Sequence, residues 1–192
     1  MAKTSKYNRQ DIIHKATNLY WEKGFHGTSM RNLQDVIDMR PGSIYAAFGS
    51  KEGLFKEALQ HYTQQALSNL AQLKLTAGSP LKGLKRFVEM AVIESKTCSP
   101  SGMCMLTKTI SELTQDNATL VLVAKKSLNE IEQHFKNTLV EAQVAGEIHK
   151  NKDTTQLARN LQVHIMGLRC YASINNNPVI VQQMIDNQFA TF

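Results

Sequence analysis

The chain has 192 residues, 42% hydrophobic and 20% charged, with a net charge of +6 and a pI near 9.2. That composition excludes a chain too polar to bury a core and leaves room for one ordinary domain or two small ones. No apolar run of about 18 residues is long enough to span a membrane, and the opening MAKTSKYNRQ has charge without the apolar stretch of a secretory signal, so the expected compartment is the cytoplasm.

Residues 1–60 hold 9 Lys and Arg against 6 Asp and Glu, and the remainder holds 13 against 10. Net positive charge is therefore more than twice as dense in the first third, which suits nucleic acid and equally suits a solvated basic surface. Cys98, Cys104 and Cys170 show no CxxC or CxxH spacing, and the six His show no paired spacing. Neither a disulfide framework nor a metal site is expected, and no cofactor or catalytic motif is legible.

Helical periodicity runs along the whole chain, so the expected fold class is all-α. Asn8 is placed to cap a first helix with Asp11 at its third position. Ile12, Ile13, Ala16, Leu19 and Tyr20 form its stripe, Gly24 ends it and Phe25 plugs the core beyond. A short second helix runs from about Ser29, its N-cap, to Ile37, with Met30, Leu33, Val36 and Ile37 as the apolar stripe. Asp38-Met39 is the turn, where Asp tolerates a left-handed backbone. Pro41 suits the first position of a third helix ending near Phe48, since its missing N–H is unneeded there. Ser50 caps a long helix from Lys51 to about Leu75, built on Leu54, Phe55, Ala58, Leu59, Tyr62, Ala66, Leu70 and Leu73.

Thr76 to Ser79 breaks that helix, and Ser79-Pro80 starts the next, to about Lys96. Thr97 to Gly102 reads as a loop and a shorter helix follows to about Leu113. Asp116-Asn117 opens a helix to about Ala145, ended by Gly146. Asp153 caps another to about Ile174, Asn175 to Pro178 is a break, and a last helix reaches about Gln188. The expected organisation is an N-terminal unit at 1–50 and a larger helical unit at 51–192, with the Lys51 helix able to couple them. Within the first unit, two short helices about a tight turn, the second rich in hydrogen-bonding groups, make a helix-turn-helix that sets its second helix in the major groove.

The run R-P-G-S-I-Y-A-A-F-G-S-K-E-G-L-F, from Arg40 to Phe55, resembles the recognition-helix signature of the TetR family of bacterial repressors. The upstream A-x-x-L-Y-x-x-x-G-F-H-G-T-S-M-R, from Ala16 to Arg31, is similar to the N-terminus of the same family. Together they cover about residues 9 to 60. Asp38 stands where the family usually has Gly, Arg40 where it has a hydroxyl residue, and Ala46 and Ala47 where it has aromatics or His. The resemblance implies a helix-turn-helix DNA-binding domain, a C-terminal ligand-binding and dimerisation domain, a double-stranded DNA operator, a small-molecule inducer and a homodimer. The helices at about 117–145 and 153–174 would then form a four-helix bundle with their two-fold mates, with Leu161 and Ile165 on the contact stripe.

Six residues are candidate DNA contacts. Arg40 can pair bidentately with guanine. Ser43 and Tyr45 lie on the recognition helix; Tyr45 reads as a groove contact rather than a core aromatic, because Ile44 and Phe48 already supply that helix's apolar contacts. Thr28, Arg31 and Lys51 stand at helix starts and are expected at phosphates, with a solvated lysine the other reading of Lys51. Lys3, Lys6 and Tyr7 form either a backbone-binding arm or a loose tail.

The expected ligand-cavity residues are Phe87, Met90, Met103, Cys104, Phe135 and Met166, since methionines adapt to many shapes; Met105 and Met184 share that character, and plain core is the other reading. Ser101 to Leu106, with Glu112 eight residues after Cys104, resembles a G-C-L-L…E pattern in one TetR subgroup, the electrophile-sensing repressors of the N-ethylmaleimide-reductase type. Its glycine is displaced by one residue here. Cys104 is thus either a thiol sensor favoured as thiolate by its helix start, with Lys96 and Lys108 nearby and Cys98 as resolving partner, or a small buried hydrophobe. Cys170 is expected in the core facing the dimer surface. Rivals from other classes are a helical thiol enzyme using Cys104 and a protein-binding adaptor.

Overall fold

The computed structural model describes residues 8–95 and 100–192, and every regular element among them is helical. Lys3, Lys6, Tyr7, Lys96 and Cys98, for which roles are expected above, lie outside the described residues.

α1 (Arg9–Lys23) is capped by the Asn8 side chain, which accepts from Gln10 N and Asp11 N, and ends at Gly24 with φ 75°. α2 (Met30–Ile37) begins with a capping box between Ser29 and Asn32. It ends at Asp38, whose φ of 53° and ψ of 46° are left-handed; the turn takes this shape with Asp because a short polar side chain tolerates it. Val36 departs from the expected stripe and is exposed, while Met39 from the turn is buried. α3 (Pro41–Phe48) has Pro at its start and no side-chain cap from Arg40. Ser50 accepts from Gly53 N to open α4 (Lys51–Ala77), which Gly78 closes.

The first three helices and the start of α4 enclose one core. Tyr20 meets Phe55 edge-on with ring centroids 4.7 Å apart, and Phe25 meets the same ring at 5.0 Å. Ile12, Ala16, Leu33, Ile44 and Leu54 fill the rest.

α5 (Pro80–Glu89) starts from the Ser79 cap and runs into a π-helical turn at Met90–Glu94. A wider turn inserted in a helix displaces its side chains from the regular stripe, and the sequence periodicity gave no sign of it. α6 (Met105–Glu112) and a 3-10 turn at Gln115–Asn117 lead into α7 (Ala118–Val144). The Asp153 side chain accepts from Thr155 N and Gln156 N to open α8 (Thr154–Ile174), and α9 (Pro178–Phe189) follows. α4 packs against α1 on one side and against α5 and α7 on the other, so one rod belongs to both halves.

Two residues assigned to the dimer stripe lie elsewhere. Leu161 is fully buried within its own chain, and Ile165 is partly buried against the core and a cavity. Cys170, expected in the core, is exposed. The register of α8 turns Leu161 and Leu168 inward and leaves Val163, Gly167 and Cys170 outside.

Candidate DNA-reading head and effector cavity

α3 presents Arg40, Ser43, Tyr45, Ala46 and Ala47 to solvent and holds itself to the head through Ile44 and Phe48. Tyr45 is 48% exposed. The side chains of Arg31, Arg40, Ser43 and Tyr45 make no hydrogen bond or ion pair with the described residues, so their donors stay available. Arg9, which no motif singled out, fixes the far end of the helix. Its Nη1 donates to Ala47 O at 3.2 Å, its Nη2 pairs with Glu57 at 2.5 Å, and its guanidinium lies 4.5 Å from the Phe48 ring centre.

Two expected phosphate contacts have partners within the chain. Thr28 is fully buried and its hydroxyl donates to Gly24 O at 2.7 Å, because it closes the tight turn between α1 and α2. Lys51 folds inward: Nζ donates to Phe25 O at 2.7 Å and lies 4.3 Å from the Phe25 ring centre. Burial pulls its pKa down, with Glu52 and Glu112 opposing. It fastens α4 to the α1–α2 loop through one of the three ammonium donors.

The larger unit contains a cavity in two lobes. One of about 390 Å³ lies among Trp21, Tyr62, Gln65, Asn69, Phe87 and Met90. A narrow one of about 60 Å³ lies among Phe87, Cys104, Leu128, Phe135, Gln162 and Met166. Tyr62, Phe87 and Arg169 border both. Of the six expected ligand residues, Phe87, Met90, Cys104, Phe135 and Met166 line these lobes, and the π-turn supplies Met90, Ala91 and Glu94. Met103 does not line them; its carbonyl instead accepts from Trp21 Nε1 at 2.6 Å. Met105 is core and Met184 packs against it. Cys104 is the N-cap of α6, and the Tyr62 hydroxyl donates to its Sγ at 3.6 Å. Burial pushes the Tyr62 hydroxyl well above the usual tyrosine range, so it stays a donor.

α6 bridges cavity and head. At its start lies Cys104; at its end the Glu112 carboxylate accepts from Phe25 N at 3.1 Å and His26 N at 2.7 Å. Gly24 leaves room for this, since a Cβ there would collide with the Glu112 carboxylate. Midway, Lys108 Nζ donates to Trp21 O and Glu22 O at 3.2 and 2.7 Å, satisfying the end of α1. Trp21 belongs to a head helix yet lines the cavity. No periodicity could show Trp21, Arg169 or Arg9 as site residues, because their partners lie 38 to 107 residues away.

Among the described residues no group of three or more His, Cys, Asp or Glu is placed to hold a metal ion, and no helix is long and apolar enough to cross a membrane.

A small three-helix head with an exposed third helix, joined by a shared rod to a hollow helical body, defines a helix-turn-helix transcription regulator. The family model described as "Bacterial regulatory proteins, tetR family" matches residues 12–58, and "Tetracyclin repressor-like, C-terminal domain" matches residues 80–187. The chain belongs to the TetR family. It is 28% identical over 164 residues to the HTH-type transcriptional repressor ComR of Escherichia coli, covering 84% of this chain and 78% of that protein. It is 20% identical over 187 residues to the HTH-type regulator YezE of Bacillus subtilis, covering 97% and 96%. Its fold matches the TetR family regulator CifR, solved with 26-bp operator DNA, at a TM-score of 0.86 over 99% of this chain and 100% of that one, with 22% identity. Escherichia coli NemR in its reduced form matches at 0.76 over 95% and 93%, with 17% identity, a likeness of fold alone. Membership in this family makes the chain a transcriptional regulator, and the thiol-enzyme and adaptor readings fall.

Proposed function

We propose that this regulator is a cytoplasmic, homodimeric repressor that holds a two-fold operator and releases it when a small molecule enters the two-lobed cavity. In this reading residues 1–50 are the DNA-binding domain, residues 51–192 bind ligand and dimerise, and α3 enters the major groove with Arg40, Ser43 and Tyr45 toward base edges. Arg31 sits at the backbone. The observation that carries the reading is α6, with one end at the cavity and the other at the backbone of the α1–α2 loop. A ligand that widens the cavity moves Cys104 and Trp21, and Glu112 and Lys108 pass that shift to the head. Two heads tilted this way no longer match two half-sites, which is a population shift between dimer geometries.

The test is selection of bound DNA from random sequences by the full chain. The expected product is a two-fold site whose half-sites lie about one helical turn apart. Enrichment of single, unpaired half-sites would overturn the dimeric reading.

A second reading follows from Cys104 lining the narrow lobe with a hydroxyl on its sulfur: covalent release by an electrophile, as in the N-ethylmaleimide-reductase type. An adduct there would wedge the start of α6. It requires Cys104 to alkylate faster than Cys98 and Cys170, and Cys104→Ser to stay on DNA under electrophile. Equal rates by mass spectrometry leave reversible binding as the switch. Reversible binding is the reading we favour, since Cys104 is only one of twelve residues around that lobe.

A further inference from the structure

The cavity holds a buried cation with no counter-charge among the described residues. Arg169 is 6% exposed and borders both lobes. Its Nε donates to Gly102 O at 3.0 Å and its Nη1 to the Tyr62 hydroxyl at 3.3 Å, both neutral acceptors. Among the described residues no carboxylate pairs with it, and Nη2 donates to no acceptor. Glu94 lines the larger lobe, but its side chain is 43% exposed and held by Arg86 at 2.5 Å. A buried guanidinium without a counter-charge is unfavourable, and its planar fork matches a carboxylate. One cation among apolar walls suits one negative charge better than the two of a phosphate. The amides of Gln65 and Asn69 also line the larger lobe, and Gln162 Oε1 on the narrow lobe is buried without a partner. Trp21, Phe87 and Met90 supply apolar wall beside them.

We infer that the effector is a small organic carboxylate. Its carboxylate forks onto Arg169 between the lobes, and its apolar body lies along Trp21, Phe87 and Met90. The inference rests on the reading of the chain as ligand-responsive and adds the chemical class. A carboxylate on Nη1 and Nη2 competes with the Tyr62 hydroxyl for Arg169 and sits beside Cys104 at the start of α6, where the head is coupled.

Trp21 is the chain's single tryptophan, and it edges the cavity, so its fluorescence reports occupancy. The full chain is titrated with short and medium alkanoates and phenylalkanoates, each beside its own primary amide. Trp21 emission and operator anisotropy are read together. Acids are expected to bind at least about ten-fold more tightly than their amides, the worth of a charge-assisted hydrogen bond, and to release the operator. Arg169→Gln removes the preference while amide affinity stays, and Arg169→Lys keeps part of it. Amides that bind as well as acids, or a folded Arg169→Gln chain that still prefers acids, overturn the inference and leave a cavity for neutral ligands. Silence of every acid and amide, with operator binding intact, counts against the ligand-responsive reading itself. The acid–amide comparison on the unaltered chain decides even if Arg169→Gln does not fold.

Discussion

Arg40 and Tyr45 present to solvent a fork of donors and a hydroxyl-tipped ring that no described residue competes for. Arg40→Ala and Tyr45→Ala should each weaken binding to the selected operator by about 1–3 kcal/mol and leave the melting temperature in place. Arg31→Ala should weaken all sequences alike and lower the salt slope by about one. Lys51→Ala should lower the melting temperature, because it removes the bond that ties α4 to Phe25 O, and its salt slope tells whether the remaining ammonium donors also reach a phosphate. Salt titrations of anisotropy, paired with thermal melts, sort the four variants; a Tyr45→Ala chain that melts early yet binds normally would return Tyr45 to the core. Thr28 and Lys51 show what sequence order leaves open. Both stand at helix starts, where phosphate contacts belong, but whether such a side chain points out depends on neighbours 4 and 26 residues away that only the fold supplies. His61 adds a pH dependence. Its Nε2 is buried without a partner, and burial, then His14, pulls its pKa below the ordinary 6.5. The folded state therefore binds its proton less readily than the unfolded state, so stability is lost as pH falls through 6.5 and below. Thermal melts from neutral to mildly acid pH should show that loss, and His61→Gln should flatten it.

Among the elements, α6 is tied to the head at two points, through Lys108 and Glu112. Its last carboxylate accepts from two backbone N–H groups in the α1–α2 loop, each a charge-assisted bond, with His26 N exposed and the pair therefore discounted to about 1–3 kcal/mol. Glu112→Gln should open that loop while leaving α3 and the C-terminal core folded. Hydrogen exchange is the direct reading: Phe25 and His26 amides should exchange faster, with Leu33 and Ile44 unchanged. Slow exchange at those two amides in the variant would mean the loop is held by Thr28 and Lys51 alone and α6 is no lever. Gly24→Ala should give the same opening with a larger loss of stability, since its φ of 75° disfavours a side chain and the Cβ would meet Glu112. Many helix starts were readable to within a few residues because they carry their punctuation: Asn8, Ser29, Ser50, Ser79 and Asp153 are all working caps. The π-turn after Glu89 and the inward register of Leu161 were not, because both follow from how α5 and α8 meet their neighbours rather than from local preference.

For the protein as a whole, the proposed dimer would form on the outer faces of α7 and α8. Val140 and Val144 on α7 and Val163 and Ile174 on α8 are exposed in the single chain, Ile174 by 77%, and Gly167 has open space where a Cβ would stand. Such positions are where a two-fold mate can approach closely, and each contact made there occurs twice in an isologous interface. Val163→Glu and Ile174→Glu should therefore give folded monomers with an unchanged melt by circular dichroism. Operator affinity should drop steeply, because each head then associates alone. Leu161→Glu is the contrasting variant. It puts a charge in the protomer's own core and should lower the melting temperature by far more than it shifts the assembly state. Light scattering at micromolar concentration separates the cases. A monomeric unaltered chain, or a Val163→Glu chain that stays dimeric with full operator affinity, would mean that the two heads are joined elsewhere and that α7 and α8 are ordinary solvent-facing helices.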